Sequence, residues 1–238
     1  MGLFLSASGV LSPDGNAVRN AIASYVATTG GTFEPRGGTT NDRNIGLLQT
    51  SKSTTTVLYP DGFSDWDDLS KFLSLELKKP VFSFHIHDGD LWMFVAFNDG
   101  EEVAWFNPIP DYWGQIDDAE RDRWAGNAQA VASLVSGLDA ATIERYFVPW
   151  AEDVLSAEQK SYDDDEFAIG VDWQLIDFMR RLGFVYPLDE TGNPTGETFY
   201  LKIRRQKQPP GGVVPPASQP ETPSAPPKLP TKPWWKFW

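Results

Sequence analysis

The chain has two histidines, and both fall in one short run, His85-Ile86-His87-Asp88. On a β-strand, residues two apart project to the same face, so both imidazoles stand on one side of an extended segment. Neutral imidazole nitrogens and carboxylates are donors for zinc-like divalent ions, and Asp88 and Asp90 follow directly. His85, His87 and Asp88 are therefore the candidate metal ligands. A metal-dependent hydrolase, or another small-ligand enzyme centred on this strand end, is one functional reading of the run. Histidines satisfied within a covered sheet face are the plainer reading of the same spacing.

Hairpin geometry extends that face. Val81–His87, Leu91–Phe97 and Glu101–Asn107 are apolar-rich runs separated by Asp88-Gly89-Asp90 and Asn98-Asp99-Gly100. Three-residue loops containing Gly are hairpin connections. They pair His85 with Met93 and Trp105 in one row, and His87 with Leu91 and Asn107 in the next. A mostly apolar surface with a few polar groups is the composition of a small-ligand pocket. Asn107-Pro108-Ile109-Pro110-Asp111-Tyr112-Trp113-Gly114 then leaves the sheet beside His87. Its prolines stiffen a loop that presents two rings, which are good contact anchors at low entropic cost. His85, His87, Trp105, Asn107, Tyr112 and Trp113 are thus the candidate pocket residues for a ligand or partner.

The elements that must hold these residues are readable from periodicity. The middle run, Leu-Trp-Met-Phe-Val-Ala-Phe, is apolar on both sides and predicts a strand covered on both faces. Gly2 to Val10, Asn44 to Thr50 and Thr54 to Tyr59 read as further strands, and residues 32–43 as loop. Val18, Ala21, Ile22, Tyr25 and Val26 form a helical stripe capped at Asn16, and a second helix carries Trp66, Leu69, Phe72, Leu73 and Leu77. One long helix is expected from Ala119 to Ser136, a shorter one through Phe147, and another from Asp172 to Leu182. Phe184 to Tyr186 and Thr198 to Arg204 read as a closing hairpin. The fold class is α+β: a mostly antiparallel sheet with a central three-stranded meander, helices packed on the sheet faces and a disordered Pro-rich C-terminal tail.

Other chemistry lacks its template. No Gly-rich phosphate loop, dinucleotide fingerprint, Gly-x-Ser-x-Gly elbow or His-Glu-x-x-His occurs, and there is no cysteine. Asp163-Asp164-Asp165-Glu166 lacks the spacing that wraps a loop around calcium and reads as a solvated acidic loop. The absence of cysteine permits a reducing compartment, and no run approaches the roughly 20 apolar residues of a membrane span, so a cytoplasmic location is expected. The charge is divided unevenly. Lys207, Lys228, Lys232 and Lys236 against Glu221 leave +3 on residues 206–238, so the chain's −13 places −16 on residues 1–205. Such a body repels phosphate backbones, which argues against nucleic acid and in favour of a basic protein partner.

From Gln208 the chain is Pro-rich and cannot bury enough apolar surface to fold, yet it carries Trp234-Trp235-Lys236-Phe237-Trp238 at its end. Residues 1–205 are read as an acidic α+β domain, 206–233 as a disordered linker, and Trp234, Trp235, Phe237 and Trp238 as a docking tip. The tip suits a groove on another protein, and its mix of rings and lysine also suits a membrane surface. The composite expectation is a non-enzymatic soluble interaction protein without a required cofactor, a divalent metal at His85 and His87 being the exception considered. An immunity or antitoxin-type inhibitor is a special case of this class, since acidic domains suit electrostatic capture of basic effectors.

Overall fold

The computed structural model describes residues 2–35, 43–155 and 159–203. The Pro-rich linker and the four aromatic residues of the tip lie outside the described residues. Within the compact unit Met1–Arg204, eight strands form one antiparallel sheet: β1 (Leu5–Val10), β2 (Thr32–Glu34), β3 (Ile45–Thr50), β4 (Thr55–Leu58), β5 (Val81–His87), β6 (Leu91–Asn98), β7 (Glu101–Phe106) and β8 (Glu197–Lys202). Their order is β2-β8-β3-β4-β1-β5-β6-β7. The expected meander is β5-β6-β7, and it occupies one end of the sheet. β1 lies between β4 and β5 and all six of its residues are buried.

Each face of this sheet has its own cover because alternate residues point to opposite sides. α1 (Gly15–Thr28) and α2 (Trp66–Leu77) lie on the face of Val10, Val57 and Val81, through Val18, Ile22, Leu69 and Leu73. α4 (Ala128–Leu134) and α6 (Gln174–Arg181) lie on the face of Phe82, Phe84, Trp92 and Phe94. There the Phe178 ring meets Phe84, Trp92 and Phe94 at centroid distances of 6.4, 5.3 and 5.2 Å. β6 is therefore covered on both sides, as its continuous apolar run requires.

Four expectations are corrected. The long helix is broken into α3 (Asp118–Trp124) and α4, because Gly126 adopts φ +85° and the Asn127 side chain restarts the helix by accepting from Ala130 N at 3.0 Å. A side chain at position 126 would also collide with Phe147. The helix expected through Phe147 is two 3-10 turns, Ala140–Thr142 and Glu144–Tyr146, and α5 (Glu152–Leu155) follows. The closing hairpin does not form: β8 pairs instead with β3 and with β2, a strand in a segment read as loop. The acidic loop is not simply solvated. Asp165 is buried, and its carboxylate accepts from Tyr146 O–H at 2.6 Å, Tyr162 N at 3.0 Å and Arg181 at 3.0 Å, while Asp164 also pairs with Arg181.

Candidate functional site

The histidine strand is positioned from beneath by α2. Tyr59 Oη lies 2.5 Å from Ser8 Oγ, Ser8 Oγ lies 2.6 Å from Ser70 Oγ, and Ser70 donates to the Trp66 carbonyl at 2.7 Å. With Ser70 donating onward, Ser8 donates to Ser70 and Tyr59 to Ser8, so the hydroxyl hydrogens of all three are used. The chain of hydroxyls ties β1 and the segment after β4 to the first turn of α2. It thereby sets Trp66 on His85: the rings are parallel within 5°, with centroids 4.4 Å apart. His85 is 4 % exposed, and its Nδ1 lies 3.3 Å from Ser6 Oγ on the neighbouring strand. Burial pushes the imidazole pKa down to about 3, and the adjacent His87 acts in the same direction. His85 is a neutral, packed member of the sheet face.

His87, one step further along the strand, is half-buried and sits among three rings drawn from two other segments. Phe4 stands edge-on to it at 5.0 Å, Trp113 at 4.9 Å and Tyr112 at 5.7 Å. The 107–114 loop is held for this by local bonds. Asn107 Oδ1 accepts from Ile109 N at 2.9 Å, Tyr112 N donates to the Ile109 carbonyl at 3.0 Å, and Trp150 N donates to the Pro108 carbonyl at 3.0 Å. Burial lowers the His87 pKa from its ordinary value, while Asp88 and Asp90 oppose that shift.

The rim of this aromatic cluster is acidic. Asp88 adopts φ +53° in the hairpin turn and accepts from Gly2 N at 2.8 Å. Tyr112 O–H donates to Asp90 Oδ2, which pushes the phenol up to about 12. Asp172 is partly buried, and that burial, with the Asp90 charge adding to it, raises its carboxyl pKa. Phe4 and Tyr112 are 45 % and 36 % exposed, so the cluster presents ring surface to solvent between carboxylates.

Of the six candidate pocket residues, the structure brings together His87, Tyr112 and Trp113, with His85 beneath them. Trp105 and Asn107 do not join them. The β5–β6 register is as expected, His85 opposite Met93 and His87 opposite Leu91. The β6–β7 register is not. Its turn uses only Asp99 and Gly100, both with positive φ, and a bulge between Ala96 and Phe97 adds a further one-residue shift. Two one-residue shifts keep Trp105 on the same face but move it opposite Val95. There it donates to Glu102 beneath the Arg123 guanidinium. Asn107 is 2 % exposed and serves its own loop.

Among the described residues no three His, Asp or Glu side chains come together as a metal set, and Asp88 is turned to the Gly2 amide. A polar cleft of about 520 Å³ opens elsewhere, at the start of α1, lined in part by Asp14, Asn16, Arg19, Gln49 and Glu197. Its charges are engaged: Asp14, and not the expected Asn16, caps α1, and Arg19 pairs with Glu197. The candidate site is therefore the ring-and-carboxylate surface and not the cleft. Sequence reasoning missed Phe4, Trp66 and Asp172 there. Phe4 reads as part of a first strand, and nothing local links it to a histidine more than eighty residues away. No protein-family model, curated protein or solved structure matches the chain. No helix among the described residues is long and apolar enough to cross a membrane.

Proposed function

We propose that the chain is a non-enzymatic interaction protein whose acidic domain docks a basic segment of a protein partner at the His87 end of the sheet. One observation carries the reading: Phe4 and Tyr112 expose their rings beside His87, and the adjacent carboxylates are Asp88, Asp90 and Asp172. Exposed rings offer apolar area and a negative π-face, and carboxylates beside them favour a cationic occupant over a neutral one. A charge of −16 on residues 1–205 would speed encounter with such a partner. The buried and satisfied state of His85 supports a scaffolding role for the histidine strand. The tip residues Trp234, Trp235, Phe237 and Trp238 are proposed to give a second contact on a protein surface, and the cysteine-free composition fits a reducing, cytoplasmic setting.

The test is affinity capture with the full chain and with a Phe4→Ala, Tyr112→Ala, Asp90→Asn triple variant, at low and high salt, read by mass spectrometry. The expected result is a basic protein retained by the wild type, weakened by salt and lost by the variant. A partner retained equally by both proteins would overturn the assignment of the docking surface.

A further inference from the structure

The fold shows twice how it holds a guanidinium. Trp105 Nε1–H and Arg123 Nη2 meet the same Glu102 oxygen at 3.0 and 2.6 Å, and the Arg123 guanidinium lies 4.4 Å from the Trp105 ring centroid. Tyr146 O–H and Arg181 Nη2 meet the same Asp165 oxygen at 2.6 and 3.0 Å, and that guanidinium lies 4.7 Å from the Tyr162 ring. In both places an aromatic side chain donates its polar hydrogen to a carboxylate, and the carboxylate receives an arginine that also covers a ring. The described cation–π contacts are all made by arginine.

The same pairing stands at the surface, where Tyr112 O–H donates to Asp90. Among the described residues no arginine or lysine of the chain lies within ion-pair distance of Asp90. The nearby Arg121 is paired with Asp111 at 3.4 Å. Tyr112 is exposed, its ring braced edge-on by Trp113 at 4.8 Å and His87 at 5.7 Å. The hydrogen bond to Asp90 fixes the ring beside the carboxylate, which reduces the ordering cost of receiving a planar cation.

Resting on the docking reading above, we propose that Tyr112 and Asp90 form a receiving site for an arginine of the basic partner. The guanidinium lies on the Tyr112 ring and donates its N–H groups to the Asp90 carboxylate, with Asp88 adding negative charge at the rim. A planar guanidinium can stack and donate in one pose, whereas a compact, strongly hydrated ammonium gives up more solvation to approach a ring. The site therefore selects arginine over lysine.

The experiment titrates the full chain with two capped probes of equal charge, a tri-arginine amide and a tri-lysine amide, by calorimetry at low ionic strength. Wild type is expected to bind tri-arginine about threefold to tenfold tighter than tri-lysine. Tyr112→Ala and Asp90→Asn should each abolish that preference without lowering the thermal midpoint. Glu76→Gln, an equal charge change on an exposed part of α2, should keep it. Equal affinity for the two probes in wild type overturns the arginine assignment. If that shared affinity is still lost in Asp90→Asn, docking at this surface stands and only the selectivity falls. A preference that survives in both Tyr112→Ala and Asp90→Asn overturns the site itself.

Discussion

At the scale of single residues, burial and partner decide what a side chain is for, and residue type decides much less. Ser8 and Ser83 are direct cross-strand neighbours, both buried, yet Ser8 Oγ is the middle of the hydroxyl chain and Ser83 Oγ has no hydrogen-bond partner among the described residues. Ser8→Ala leaves the Tyr59 hydroxyl buried without its acceptor, which costs about 1–3 kcal/mol. Ser83→Ala removes an unpaired group and is expected to be neutral or stabilising. Urea melts of the two variants check the difference in sign. His85 gives a second test through pH. Its folded pKa is held near 3 by burial, while the unfolded chain protonates near the ordinary value of about 6.5. Below that value the unfolded state binds the extra proton, so stability is fully present above about 6.5 and is lost as the pH falls. Between pH 7 and pH 5 the loss from this one group is roughly 2 kcal/mol. His85→Gln should flatten that part of the stability profile, measured by denaturant titration at both pH values.

Elements follow from local signals where the signal is short, and from tertiary contact where it is not. The β5–β6 hairpin was legible because Asp88-Gly89-Asp90 fixes a loop length and the loop fixes a register. One turn later the same reasoning slipped, since Asn98-Asp99-Gly100 can close as two residues plus a bulge as readily as three. The stop at Gly126 and the cap at Asn127 are also present in the sequence, but the apolar spacing from Trp124 to Val135 spans them and reads as one helix. Phe4, Trp66 and Asp172 could not be found in advance because each reaches His85, His87 or Asp90 through pairings of distant segments. The buried carboxylates show how such segments are held. Asp177 accepts from Glu166 N at 2.9 Å, Phe167 N at 2.8 Å and Arg180 at 2.6 Å, so one side chain ties the 160s loop to α6. Asp177→Ala strands two amide donors and leaves Arg180 with its bond to the Asp164 carbonyl, and a loss of about 2 kcal/mol or more is expected, read as a lower thermal midpoint.

For the molecule as a whole, the uneven charge sets stability against the proposed binding. Residues 1–205 carry −16, yet the described ion pairs use carboxylates such as Glu102, Asp164, Asp165 and Asp177 and leave Asp88 and Asp90 without a cation. Asp172 registers the result, its carboxyl raised first by burial and then by the Asp90 charge. Such a cluster is unfavourable for the isolated fold and favourable for a cationic partner, whose arrival would relieve the repulsion. Neutralising it should therefore stabilise the protein while weakening the proposed docking surface. Asp90→Asn and Asp172→Asn are each expected to raise the thermal midpoint by roughly 1–3 °C at low salt, since the amides keep an acceptor oxygen and lose the charge. The double variant should gain less than the two single gains together, because both remove the same repulsion. Added salt should shrink all three gains by screening it. Scanning calorimetry at two salt concentrations decides the matter. Midpoints that fall in the single variants would show that these carboxylates hold the fold together, and the case for a surface kept acidic for a partner would be lost.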